Sequence, residues 1–356
     1  MTPLLDLPSN REEAWRWADL GGIAAAAALA PVAAPEAEFL DLPGAKLLFV
    51  DGVLDATRSD LGPVTLGAVD PGEHPLGRRA SQGWTLRLAA DAVAEPVQVV
   101  HVATGAENHL AAAIALADDA AAQVIETYVG AGWSNRLARI TLGKAARLMR
   151  SVRLLQAAGF TSLREEATLG EGASLVTTVL GAGDAGTRID GAICLAGEGG
   201  YAEFGGALLT RDAQRQECAV RVRHAAPNGQ SHQLWRAVAA DRSVASLAAA
   251  VEVARDAQKT DGEQSLRGLL LQRTATVNLK PELEIFADDV KCAHGATVGE
   301  LDARALFYMQ SRGIPKARAQ ALLTRAFVAD AMERIGDETV REAFVADADA
   351  WLERAL

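Results

Sequence analysis

The sequence predicts a mainly β chain that ends in a helical unit. Three observations carry that prediction. Short runs of alternating apolar and polar residues recur roughly every fifteen residues between Ser174 and Arg223. Glycine-containing turns separate them, with no helix of convincing length between, which excludes a βαβ architecture. After Val298 the apolar spacing changes to three and four. Many short, evenly spaced strands fit a sandwich, a barrel or a solenoid, and periodicity alone leaves these open.

Taken in order, the first eighty or so residues mix a short helical start with irregular connections. Pro31, Pro35, Pro43, Pro63, Pro71 and Pro75 keep any helix there short. The Ala-rich stretch Leu20–Ala34 is too short to span a membrane, contains Pro31 and follows an acidic segment, so it reads as neither span nor signal peptide. Leu110–Gln123 reads as an Ala-rich helix by propensity. The predicted strands are Val124–Val129, Arg139–Leu142, Ser174–Leu180, Thr187–Leu195, Glu203–Leu209, Cys218–Arg223, Ala249–Val253, Thr274–Leu279 and Glu282–Ala287. In Thr187–Leu195, Ile189, Ile193 and Leu195 oppose Arg188 and Asp190. In Cys218–Arg223, Cys218, Val220 and Val222 oppose Arg221 and Arg223. Each strand is therefore expected to bury one face and wet the other. At the C-terminus, Leu306 and Met309 mark one helix and Gly313 its stop. Pro315 opens a second along Leu323, Phe327, Ala331 and Ile335, and Asp337 opens a third carrying Val340, Phe344, Ala348 and Trp351.

Composition narrows the functional classes. A formal net charge of -11 over 356 residues argues against nonspecific nucleic-acid binding. Three scattered cysteines, Cys194, Cys218 and Cys292, argue for a reducing compartment, and a cytoplasmic protein is expected. Gly181-Ala182-Gly183-Asp184-Ala185-Gly186 matches G-x-G-x-x-G, but the residues after it alternate like a strand, so it reads as a glycine-rich turn. There is no G-x-x-x-x-G-K-[ST] motif, so no nucleotide is expected to be bound or hydrolysed by this chain. His224 and His232 flank Pro227-Asn228-Gly229 and read as a hairpin-like corner. Cys218 reads as core, and Trp15 and Trp17 as anchors of a helix.

The densest segment is Lys280–Gly299. Glu282, Glu284 and Asp288 share one parity and Leu283, Ile285 and Ala287 the other. Cys292 and His294, two apart, point the same way if the strand continues, and they pair a thiol with an imidazole. Two ligands do not close a metal site, so any cluster site here borrows ligands from elsewhere, such as another chain.

This segment resembles the K-P-x-L-E-I-x-A-D-D-V-K-C-x-H-G-A-x-x-G block of the SufB/SufD family of iron–sulfur cluster assembly proteins. The resemblance continues through Leu306-Phe307-Tyr308 and Ser311-Arg312-Gly313-Ile314. Weaker signatures are Val124-Ile125-Glu126, His224 with Ala226-Pro227, Ser231, and Ala257–Asp261. Arg11–Trp17 resembles an N-terminal element of the SufD-type members. Val290–Ala296 stands where SufB-type members carry a V-E-H-E-A-type sequence, which sets the chain with the SufD type.

The resemblance implies a right-handed parallel β-helix core (91–298) between an N-terminal α/β region (1–90, helical and irregular) and a C-terminal α-helical domain (299–356). It implies a non-enzymatic subunit of a SufB–SufC–SufD complex, pairing with a SufB-like paralogue through the β-helix. A SufC-like ABC-type ATPase would dock on the C-terminal helices at Leu306, Phe307, Tyr308, Arg312, Gly313 and Ile314. A cysteine desulfurase system would supply sulfide, and the isolated chain could form a homodimer. The iron–sulfur cluster would be transient and held by the complex, near His294 and Cys292, with flavin involvement left open. The competing reading is a β-helix enzyme acting on polysaccharides, which needs clustered acids and sugar-stacking aromatics. Aromatic content is only 5%.

Overall fold

The structure, a computed structural model, describes residues 6–355. Helix α1 (Leu20–Ala27) precedes four short strands, β1 (Lys46–Val50), β2 (Val53–Leu54), β3 (Val64–Ala68) and β4 (Gln82–Leu88). Two long, bent strands follow, β5 (Val97–Leu116) and β6 (Ala121–Leu142). Then come β7 (Arg147–Leu154), β8 (Ala158–Leu169), β9 (Ser174–Gly181), β10 (Gly186–Leu195), β11 (Tyr201–Thr210) and β12 (Arg215–His224). The last strands are β13 (Gln230–Ala239), β14 (Val244–Val253), β15 (Asp261–Leu270), β16 (Thr276–Ile285) and β17 (Lys291–Glu300). Helices α2 (Ala303–Ser311), α3 (Lys316–Ala329) and α4 (Glu338–Ala355) close the chain.

From β5 onward every ladder is parallel, and from β7 onward consecutive strands do not pair with one another. β7, β9, β11, β13, β15 and β17 stack in one sheet, and β8, β10, β12, β14 and β16 in another. β6 gives its first half to β7 and its second to β8. The chain therefore coils as a parallel β-solenoid of about 8 turns. Of the three architectures the strand spacing allowed, the solenoid is the one present.

One corner shows why no repeat is legible. Asp119, Ala145, Gly172, Gly199, Asn228 and Lys259 occupy the same place in successive turns, all with positive φ. Each gives its N–H to a carbonyl of the next turn, as from Ala145 to Glu171 (2.7 Å), Gly172 to Glu198 (2.8 Å) and Gly199 to Pro227 (3.0 Å). The left-handed conformation favours Gly and Asn, but here the inter-turn bond imposes it on Ala and Lys too. Backbone geometry repeats while residue type does not. A second bend does require glycine: at Gly159 (φ +92°) a Cβ would lie 2.2 Å from the Gly132 carbonyl oxygen of the turn below.

Three expectations are corrected. Leu110–Gln123 is not a helix but the end of β5, a corner, and the start of β6. Its alanines are held by ladders to β4 on one side and β6 on the other, and these override propensity. The predicted strands Thr274–Leu279 and Glu282–Ala287 are one strand, β16, running through Pro281. Proline is tolerated because β14 is its only ladder partner. His224 and His232 do not flank a hairpin, because β12 and β13 lie in different sheets.

Most of the lumen is filled by one apolar cluster that includes Leu163, Ile189, Phe204, Cys218, Val220, Trp235 and Leu247. Cys218 is core, as expected. The expectation of one wet face fails in two places. The outer residues Leu180, Leu209, Val238 and Leu269 are covered by Val328, Met332, Phe344 and Trp351 of the C-terminal helices. Strands such as β11 are thus buried on both faces, which reads as an unbroken apolar run. Arg188 and Asp190 are also buried, beneath the N-terminal segment.

His224 is fully buried, its Nε2 2.8 Å from Ser231 Oγ, and desolvation lowers its pKa to about 4. Between about 4 and 6.5 the unfolded chain takes up a proton that the folded chain refuses. Stability is then lost as pH falls through this window and fully present above it. The expected outcome for His224→Gln, which can still bond Ser231, is a shallower pH dependence of the urea midpoint between pH 4 and 6.5, by about one proton. An unchanged slope would refute the assignment.

Candidate functional site

The last turn of the solenoid carries the candidate site. β17 pairs only with β15, and β16 pairs only with β14, so both leave one edge without a strand neighbour. In register, Cys292 lies over Gly262 and His294 over Gln264. Gln264 shares its parity with the core residue Leu266, and Cys292 packs against Val251, Val253, Ala257 and Ala287. Both predicted residues therefore lie on the lumen side of the final turn. The sequence expectation that they point the same way holds.

Their environments differ. Cys292 is half-buried, and burial pushes its thiol up against the opposing effect of the Gly262 backbone N–H, which donates to it. It is a neutral thiol at ordinary pH and ligates only if a metal or a covering chain displaces the proton. His294 is exposed. Among the described residues no group of three or more His, Cys, Asp or Glu is placed to hold a metal ion. The pair stands at an open end of the solenoid.

The same end exposes apolar side chains, with Ile285, Phe286 and Val298 all more than a third accessible. An apolar rim beside unpaired strand edges is the signature of a surface that another chain covers. The acidic side of β16 is not free charge. Glu282 bonds Lys280 at 3.1 Å, and Glu284 bonds Arg221 at 3.2 Å. Asp288 lies beyond the strand, in the exposed corner that follows it.

At the C-terminus the residues divide. In α2, Phe307 is 74% and Tyr308 59% exposed, and the Arg312 guanidinium sits over the Tyr308 ring at 5.2 Å. Leu306 and Ile314 are partly covered, and Gly313 takes the helix-ending positive φ of 85°. α3 breaks at Asp330, whose carboxylate receives Arg236 of β13 at 2.6 Å. The packing stripe thus belongs to the end of α3 and to α4, while α2 keeps its aromatics in solvent.

Sequence reasoning missed two buried charge clusters. Inside the early turns, Arg150 bridges Glu126 (2.7 Å) and Glu165, with His101 and Tyr128 on Glu126. Under the N-terminal segment, Arg188 holds Asp190 and Glu217, donates to the Ala14 carbonyl and lies 3.8 Å from the Trp15 ring centroid. Trp15 is the buried anchor, whereas Trp17 stays exposed and lines a cleft of about 610 Å³ on that face, so only one of the two tryptophans packs as expected. Charges at alternating positions are the ordinary sign of a wet face, and only register shows that they close on each other. No helix among the described residues is long and apolar enough to cross a membrane.

Comparison with known proteins agrees with this geometry. The family model described as the SUF system FeS cluster assembly SufBD core domain matches residues 100–327. The Escherichia coli (strain K12) iron-sulfur cluster assembly protein SufD is 28% identical over 96% of this chain and 88% of its own length. The Bacillus subtilis (strain 168) protein of that name is 29% identical over 42% of this chain and 35% of its own. A Mycobacterium leprae iron-sulfur cluster assembly SufBD family protein is 31% identical over 51% of this chain and 48% of its own. A parallel β-solenoid matched over most of its length by the core-domain model places the chain in the SufB/SufD family of iron–sulfur cluster assembly proteins.

Proposed function

We propose that this chain is a SufD-like, non-catalytic subunit of a cytoplasmic complex that assembles nascent iron–sulfur clusters. The observation that carries the reading is the open final turn, where unpaired edges, an apolar rim and the incomplete Cys292–His294 pair coincide. A SufB-like paralogue covering this end would satisfy the edges and supply the missing ligands. There the exposed His294 offers an imidazole to iron or to a proton in transit. Cys292 adds a soft ligand once deprotonated. The cluster is cargo held between two chains, with sulfide from a cysteine desulfurase system. In isolation the same end would favour a homodimer.

This reading divides the chain into an N-terminal region (1–90), a β-helix core (91–298) and a C-terminal domain (299–356). A SufC-like ABC-type ATPase docks on that domain through Phe307 and Tyr308, with Leu306, Arg312, Gly313 and Ile314 shaping the helix end. With no phosphate-loop motif in the sequence, ATP hydrolysis belongs to that partner. A polysaccharide-cleaving reading is not favoured. The outer-face carboxylates Glu166, Glu252 and Glu284 each sit in ion pairs with arginine.

Replacing His294 by Ala, at an exposed position, should leave the isolated chain's stability within about 0.5 kcal/mol. The same variant should lose in-cell iron–sulfur maturation while the complex still assembles. Normal maturation would overturn the site. Cys218→Ala, in the core, should do the reverse, costing about 1 kcal/mol without a specific loss of maturation.

Phe307→Ala with Tyr308→Ala should weaken co-purification of the ATPase by roughly thirtyfold, as for aromatic anchors worth about 2 kcal/mol. Wild-type retention in a quantitative pull-down would remove α2 as the docking element. Point changes are the sound test here, because truncation from Leu301 would also strip the helices that cover Leu180, Leu209 and Val238.

A further inference from the structure

One buried group beneath the candidate site is unaccounted for. Gln264 is 1% exposed and its side chain enters the lumen one turn below His294, in register with it. Its amide N–H goes to the Glu282 carbonyl oxygen of β16 at 3.1 Å. That bond fixes which end of the amide is which, and the Oε1 at the other end is buried with no partner among the described residues. A buried acceptor left unpaired is costly, and such atoms call for an explanation.

The neighbours narrow the explanation. Below Gln264 in the same register stands Gln233, whose own Nε2 is given to the Ala250 carbonyl at 2.9 Å and whose Oε1 is also unpaired among the described residues. The Trp235 indole N–H is also buried but makes no bond to Gln264. Above it in register, the side chain with an N–H to give is the His294 imidazole.

We propose that Gln264 is the positioning residue of His294: its Oε1 accepts the His294 Nδ1–H and leaves Nε2, lone pair outward, at the open end. An imidazole that ligates a metal donates its other ring N–H to an oxygen acceptor, which sets tautomer and ring orientation. Nδ1 is the ring nitrogen nearer the backbone of β17. Nε2 is the farther one and reaches toward whatever covers the end. The arrangement gives the Gln264 oxygen a partner and hands the site an unprotonated nitrogen without an ionisation step. It rests on the assignment of His294 above only for its use; the tautomer is a property of this chain alone.

The test is long-range proton–nitrogen NMR of the full chain labelled with 15N-histidine, at a pH where His294 is neutral. The His294 signals are identified by their loss in His294→Asn. The expected result is a dominant Nδ1–H tautomer, the minority form of an unrestrained neutral imidazole. Gln264→Leu removes the acceptor and should return His294 to the Nε2–H form. Gln264→Glu keeps an acceptor but cannot donate to Glu282, and should retain Nδ1–H. The other five histidine signals report that each variant is folded. A dominant Nε2–H in the wild type, or the same tautomer in Gln264→Leu, overturns the proposal. An Nδ1–H tautomer together with normal maturation in His294→Ala would instead uphold the positioning and reject the use assigned to it.

Discussion

The parallel ladder between successive turns is the constraint on which this structure depends. Each strand has its backbone groups satisfied only by the strands one turn before and one turn after. The ladder forces Ala145 and Lys259 into a conformation they would not choose, and holds the alanines of Leu110–Gln123 extended. It also brings each outward side chain beside its counterpart of the next turn, as with Arg188 and Glu217. Such a ladder has ends, and the end at β16 and β17 is where the pattern stops with its edges unsatisfied.

What sits at that end follows from the same geometry. Lumen-facing residues of interior turns are roofed by the next turn, which is why Cys218 is an inert core thiol. Lumen-facing residues of the last turn have no roof. Cys292 and His294 are therefore partly or wholly accessible, although their strand positions would bury them one turn earlier. Exposure of Cys292 and His294 is here a consequence of the ladder ending at β17, not of a cleft carved into the solenoid.

The rest of the surface is managed differently. The C-terminal helices cover the apolar outer face of the odd-numbered sheet, and α2 projects beyond them with its aromatics free. The N-terminal segment covers Arg188, Asp190 and Glu217 on the other sheet, with Trp15 as lid. Buried ion clusters of this kind contribute little net stability against an apolar filling, but breaking one by removing a single partner is expensive.

The sequence by itself determined the strand-rich class, the lumen parity of Cys218, Val220 and Val222, the C-terminal helices, and the Lys280–Gly299 block with its Cys-x-His pair. These are local properties: alternation, capping and spacing are set by residues within a few positions of each other. The family's residues were legible for the same reason, as contiguous blocks. The tertiary structure alone decided that the strands coil rather than form hairpins, that Leu110–Gln123 is extended, and that Arg188 and Asp190 are buried. It alone placed Gln264 under His294, thirty positions away in the chain. Those outcomes depend on register between turns, which is carried by backbone hydrogen bonds that leave no mark on side-chain identity.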